Sequence, residues 1–291
     1  MTGRAPRFGI LLTYAEASRH GVAAVAQHAE RLGFDLLTAW DHIHTGGPEL
    51  EVWTALTWAA ASTTRIAVAP NVLAPFHRHP LVVAKMAETL DRLSGGRLIL
   101  GYGSGGRPEE AEALGLDAGS ARKAQTLGEA IELTRRAWEG RVGDFDGRFF
   151  RAHGANLEPR PERRIPIWAG TYGPRAVELT GRLADGWLPS MFRLPLDEAV
   201  ALRGRLRGAA AGAGRDPDGV VCAYNLQATV DPAQRSTPQR IAGSAGEVAE
   251  GLAEIVRRGF THLILVPAGD GFEQRERLAA DVLPAVRQLV G

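Results

Sequence analysis

The chain predicts an α/β fold built as a single (β/α)8 TIM-type barrel, and three observations carry that expectation. Short β-type apolar runs alternate with helical patterns eight times. The strand starts fall near residues 8, 36, 66, 98, 167, 186, 220 and 262, with early spacings of 28, 30 and 32 residues, the size of one βα unit. The runs are nearly continuous in apolar residues, as parallel strands covered on both faces must be. A doubly wound sheet is the alternative architecture. No stretch has linker composition, so residues 1–291 are expected to form one domain. Insertions are expected after strand 4, over 101–120, and around 141–164.

Each element has a local reason. Phe8–Leu12 opens as a strand; Val22, Val25, Ala26, Ala29 and Leu32 then recur at helical spacing, and Gly33 closes that helix. Leu36–Trp40 and Ile66–Ala69 are strands two and three, separated by an Ala/Trp helix over Val52–Ala61. His79-Pro80 starts the next helix, with Pro at its first position. Leu98–Leu100 is strand four. After Thr126–Trp138, a helix, the segment Val142–Arg151 reads as a hairpin around Asp146-Gly147. Ile167–Ala169, Gly186–Leu188, Val220–Thr229 and His262–Val266 complete the strands. Their helices cover Arg175–Ala184, about Leu196–Ala211, Ser244–Arg258 behind a Ser-x-x-Glu capping box, and about Glu273–Leu289, where Pro284 is a kink position.

Composition bounds the function. Net charge is +1, so no bulk field draws nucleic acid or an anionic membrane. No apolar run reaches the ~18 residues of a membrane span, and Met1–Arg7 lacks a signal-peptide core, so a cytoplasmic protein is expected. Cys222 is the single cysteine, which excludes an intrachain disulfide and a cysteine metal cage. Lys85 and Lys123 are the only lysines; every other basic residue of the Lys/Arg set is arginine. Most of that bias is compositional, but Arg forks also bind phosphate and carboxylate.

In a barrel the chemistry gathers at the C-terminal strand ends. Strand 2 is followed by Trp40-Asp41-His42-Ile43-His44, strand 3 by Pro70-Asn71-Val72 and later His77-Arg78-His79. Strand 4 is followed by Gly101-Tyr102-Gly103-Ser104-Gly105-Gly106, which contains G-x-G-x-x-G. Its position after the fourth strand fits a dinucleotide loop poorly; glycines there let backbone approach a ligand closely, and a loop that merely needs positive φ is the equal alternative. At Gly170-Thr171-Tyr172-Gly173-Pro174-Arg175 a helix start with Pro at N1, together with Arg175, forms a candidate anion site; an ordinary capped turn is the alternative. The four histidines 42, 44, 77 and 79 do not complete a metal set, and no metal is expected. His42 beside Asp41 instead offers an imidazole for general acid–base work. Trp40, Phe76, Trp187 and Phe192 are either apolar walls or core.

Longer stretches carry a resemblance. Ala29–Asp35 leading to Trp40-Asp41-His42, Arg78-His79-Pro80, Ala87–Gly101, Glu110–Gly115, Arg122–Trp138, Pro166–Gly170, Ala184–Trp187 and Gly243–Val266 together resemble the luciferase-like monooxygenase superfamily, especially its coenzyme F420-dependent oxidoreductase branch. The resemblance implies a luciferase-like barrel that binds F420, or alternatively FMN, at its mouth. It implies a non-proline cis peptide at Asn71–Val72 supporting the ring, cofactor contacts from Gly103, Ser104 and Gly105 after strand 4 and from Gly170, Thr171 and Gly173 after strand 5, and a catalytic His42 oriented by Asp41. It implies hydride transfer between F420 and a small organic substrate. An FMN monooxygenase supplied by a separate cofactor reductase is the alternative, and a metal-dependent hydrolase and a non-catalytic flavin binder are further rivals. A homodimer through the Trp53/Trp58 helix and the helix from Pro80 is also implied, a core role for those residues being the other option. The sequence departs from some F420 dehydrogenases in having Gly106 where they carry an acidic residue; Glu109 and Glu110 come only later. Substrate specificity is expected in loops 141–164, 189–195 and 230–243.

Overall fold

Eight parallel strands follow one another around a barrel in chain order. In the computed structural model, which describes residues 5–43, 46–103, 105, 108–115, 123–268 and 271–291, they are β1 (Arg7–Leu11), β2 (Leu36–Ala39), β3 (Ala67–Pro70), β4 (Leu100–Gly103), β7 (Ile167–Gly170), β8 (Gly186–Trp187), β9 (Val221–Val230) and β11 (His262–Pro267). The hydrogen-bonded path runs β3-β2-β1-β11-β9-β8-β7-β4. Single parallel bridges, Val68 with Leu98 and Leu73 with Tyr102, join β3 to β4 and close the ring. The eight-unit expectation therefore holds, and the doubly wound alternative falls because an open sheet would leave β3 and β4 apart.

The helices are α1 (Tyr14–His20), α2 (Val22–Arg31), α3 (Val52–Ala61), α4 (Pro80–Leu93), α5 (Pro108–Ala113), α6 (Lys123–Trp138), α7 (Pro174–Leu183), α8 (Leu196–Gly212), α9 (Ala245–Arg257), α10 (Gly271–Arg277) and α11 (Leu283–Val290), the last two joined by a π-helical turn over Leu278–Val282. Two apolar layers result. One fills the space between strands and helices, from Phe8 and Leu37 to Leu252 and Val286. The other lies inside the barrel, where Leu36, Ala69, Trp168, Leu188, Ala223 and Ile264 meet, with Val72 packed on them.

Local chemistry matches most element ends. His79 caps α4, its Nδ1 accepting from the Leu81 N–H, with Pro80 at N1. Ser244 and Glu247 form the expected capping box. Gly33 takes φ +82° just past α2. The expected kink near Pro284 is resolved by the π turn immediately before it, which accommodates a proline that has no N–H to donate.

Three features differ from expectation. Helix α1 was not anticipated, although Thr13-x-x-Glu16 is a capping box and forms as one. Strand β10 (Arg240–Gly243) adds in parallel to the far half of β9, inside what reads as loop. The 141–164 excursion is a hairpin of β5 (Gly143–Asp146) and β6 (Arg151–Ala155), but its turn spans 147–150 rather than two residues. Glu129 of α6 ties that turn down by accepting the N–H groups of Arg148, Phe149 and Phe150.

Candidate active site

A cavity of about 480 Å³ opens at the C-terminal strand ends, within the usual range for small-molecule sites. Its wall takes residues from after β2 (Trp40, Asp41, His42), β3 (Asn71–Ala74), β4 (Gly103, Gly105), β7 (Gly170, Tyr172), β8 (Leu188, Ser190, Phe192, Arg193) and β9 (Asn225).

The floor is organised by one side chain. The peptide between Asn71 and Val72 is cis, at the position the resemblance indicated. Val72 points over the barrel interior, and the glycines around it are small for that reason. A Cβ at Gly103 would stand 2.8 Å from Val72 Cγ2, and one at Gly170 would stand 2.9 Å from the same atom. At Gly101 the obstacle is backbone: the Pro70 carbonyl oxygen would lie 2.0 Å away. Gly101 and Gly103 belong to β4 itself, so the G-x-G-x-x-G match is not a dinucleotide loop; its first two glycines let the β3 bulge approach β4.

Asp41 and His42 diverge. The Asp41 carboxylate accepts the Ala74 N–H at 3.0 Å, contacts His77 Nδ1 at 3.3 Å and takes Arg78 Nη1 at 3.1 Å on both oxygens. Burial alone would raise its pKa, but the His77 hydrogen bond, the Arg78 charge and the Ala74 N–H together hold it below the ordinary carboxylate value. The expectation that Asp41 orients His42 is corrected by this arrangement: the carboxylate beside His42 is Glu110. Glu110 arrives from α5, is fully buried, stands 3.4 Å from His42 Nδ1, and accepts the Ile43 N–H. Nδ1–H facing a carboxylate leaves Nε2 with the lone pair.

The remaining predicted residues scatter. Asn71, Val72, Gly103, Gly105 and Gly170 line the cavity. Thr171 is fully buried; its hydroxyl meets Thr180 Oγ1 at 2.9 Å and its carbonyl accepts from Trp187 Nε1. Gly173 is the exposed N-cap of α7, with no side-chain cap, and Arg175 is exposed one residue beyond Pro174. Neither belongs to the cavity wall, so the candidate anion site is a rim feature. Ser104, Gly106 and His44 lie outside the described residues. His77 serves Asp41 and His79 caps α4, which disperses the histidine cluster. Among the described residues no group of three His, Cys, Asp or Glu could hold a metal ion.

Of the candidate aromatic walls, Trp40 and Phe192 line the cavity. Trp187 is core, packed near Phe260, and Phe76 packs edge-on against His77. Residues not anticipated are Glu110, Tyr172, Arg193 and Asn225. Arg193 lies over the Tyr172 ring at 4.6 Å. Burial pushes the Tyr172 phenol upward in pKa, and Arg193 only partly offsets this, so the phenol stays protonated. Of the expected specificity loops, 189–195 reaches the cavity through Ser190, Phe192 and Arg193, whereas the 141–164 hairpin packs on α4 and α6, through His79 to the Arg151 carbonyl and through Glu129.

The barrel, the Asn71–Val72 bulge and the His42–Glu110 pair thus meet at one C-terminal mouth of an α/β barrel. Residues 6–239 match the luciferase-like monooxygenase family, and the chain belongs to it. It is 33% identical, over 62% of its length, to the F420-dependent glucose-6-phosphate dehydrogenase of Microbacterium testaceum, and spans only 58% of that relative. To the enzyme of the same name from Beutenbergia cavernae it is 33% identical, covering 89% of this chain and 91% of the relative. An F420-dependent secondary alcohol dehydrogenase structure, bound to an F420–acetone adduct, superposes with a TM-score of 0.86 at 19% identity, covering 97% of this chain and 99% of that one. That last likeness is one of fold.

Proposed function

We propose that this chain is an F420-dependent oxidoreductase that transfers hydride between the deazaflavin and a small organic substrate. The observation carrying it is the Val72 bulge in the floor of a cavity whose other side presents a histidine backed by a buried carboxylate. The cavity suits a planar polar ring. Its floor is an apolar ridge, and two carboxamide atoms of residues in its wall, Asn71 Nδ2 and Asn225 Oδ1, are buried without a protein partner. The curated relatives named above are F420 enzymes by name, which supports the same reading.

F420, when bound, supplies the carbon that gives or accepts the hydride. The protein does the rest. Val72 would hold the ring, and Gly103, Gly105 and Gly170 would let backbone approach it. His42 moves the accompanying proton at Nε2: it takes the proton of a hydroxyl being oxidised, or returns it to a carbonyl being reduced. Glu110 steadies the resulting imidazolium through Nδ1–H. Asp41 holds the 74–78 segment that forms the neighbouring wall. Trp40 and Phe192 exclude water from the face where substrate lies.

Titration of the purified protein with F420 and, separately, with FMN tests the reading. Tight F420 binding with weak FMN binding is expected. The reverse would favour the alternative, an FMN monooxygenase fed by a separate reductase. A second part of the proposal is a cytoplasmic homodimer. Trp58 on α3 is 63% exposed and Leu93 on α4 is 76% exposed, whereas Trp53 is buried and belongs to the core. Light scattering on Trp58→Arg should show monomers where the parent forms dimers. No described helix is long and apolar enough to cross a membrane.

A further inference from the structure

We propose that Asn225 is a ring-binding residue: its carboxamide pairs with the cyclic-imide edge of the bound deazaflavin, N–H beside C=O. The inference rests on reading the cavity as a cofactor site. Asn225 sits within β9, only 5% exposed, and forms part of the cavity wall. Its backbone is fully engaged: the N–H donates to the Pro189 carbonyl at 2.9 Å, and its carbonyl accepts the Met191 N–H at 2.8 Å. These bonds lock the 189–191 turn to β9.

One amide hydrogen of Nδ2 is directed to Ser190 Oγ at 3.4 Å, and Oδ1 has no partner. A carboxamide carries two donors and one carbonyl acceptor with two lone pairs. Asn225, a residue of the cavity wall, therefore keeps one unmatched acceptor and one spare amide hydrogen, and a buried carbonyl oxygen left unmatched carries its full desolvation penalty. The group that satisfies both at once presents a donor next to an acceptor at matching spacing, which is what a cyclic imide does. A ketone satisfies only one of the two, and an alcohol meets both only from a single oxygen, with bent hydrogen bonds. Asn71 Nδ2, on the β3 bulge, is a second buried atom without a partner, and it is a donor. An imide flanked on both sides by carbonyls has acceptors for it as well. F420 and FMN share that edge, so the assignment concerns the ring and not the tail.

The test uses the tail-free core, 8-hydroxy-5-deazariboflavin, and its N3-methyl derivative, titrated by fluorescence quenching into the intact protein and into Asn225→Leu. On the unaltered protein the methylated core should bind at least tenfold more weakly, about the loss of one good hydrogen bond. Asn225→Leu should weaken the parent core by a similar factor and bind the two cores alike. The methylation comparison needs no variant, so it stands even where the leucine protein melts early. Equal binding of methylated and parent core by the unaltered protein would overturn the assignment. Unchanged core affinity in Asn225→Leu, with only turnover reduced, would also overturn it, because the residue would then serve the substrate. If the unaltered protein binds neither the core nor F420, the cofactor reading itself fails, a result distinct from these two.

Discussion

Two buried carboxylates reach the loop after β2, and they are put to different uses. Asp41 belongs to the loop and faces a permanent cation, Arg78, which also reaches Glu51. Glu110 comes from α5, well along the chain, and faces the His42 imidazole in place of a permanent cation. A carboxylate matched by a guanidinium has its charge cancelled throughout, so its work is to hold the Ala74–Arg78 segment in place. A carboxylate matched by a histidine stabilises one protonation state over the other, which is what a proton-transfer step needs. The pair adjacent in sequence, Asp41-His42, suggests one partnership; the pair adjacent in space is His42 with Glu110.

This contrast can be broken at several points, the largest effect first. Asp41→Ala takes the buried partner from His77 and leaves Arg78 with Glu51 alone; it should remove about 3 kcal/mol of stability, read as a lower melting temperature. His42→Gln should reduce turnover by about 10²–10⁴ while F420 affinity and melting temperature stay near those of the parent. A drop in turnover below about tenfold would place the proton elsewhere. Glu110→Gln retains an acceptor for Ile43 but withdraws the charge behind His42; a loss of about 1.5–3 kcal/mol in kcat is expected, with KM little changed. If Glu110→Gln destabilises as much as Asp41→Ala, the distinction between the two carboxylates collapses.

Acid titration gives the smallest and most discriminating effect. The Asp41 carboxyl lies below its ordinary value in the folded protein. A depressed carboxylate contributes stability above the unfolded-state pKa, about 4, and that contribution is lost as pH falls through the lower folded value. The melting temperature should therefore hold down to about pH 4 and fall below it through this group, and Asp41→Asn should lack this component of the acid loss. Equal acid slopes in the two proteins would mean that Asp41 is not the anchor.

The barrel was legible in the sequence because its signals are local and repeated: apolar runs at unit spacing, Pro80 and Pro174 at helix starts, Ser244-x-x-Glu247. The cavity was half legible. Residues at or just beyond strand ends, such as His42, Asn71 and Gly103, follow from the rule that chemistry gathers there. Glu110 does not, because its meeting with His42 spans 68 positions and depends on how α5 docks. Asn225 was hidden inside a strand, where a polar residue among Val221–Val230 has no signal until its neighbours are placed. Helix α1 lacked an apolar stripe, and only its capping box could have revealed it. Thr171 was drawn into the site by sequence adjacency to Gly170, yet its hydroxyl is turned to Thr180.

The Val72 niche makes positions 72, 101, 103 and 170 a single unit of inheritance. Enlarging Gly103 or Gly170 presses a new methyl against Val72, so such a change can persist only when position 72 shrinks with it. Gly101 is stricter, because its obstacle is a carbonyl that no side-chain replacement removes. Across descendants of this chain, 72 should therefore covary with 103 and 170 while 101 stays fixed. Anyone transplanting this ring support into another barrel would have to move all four positions together.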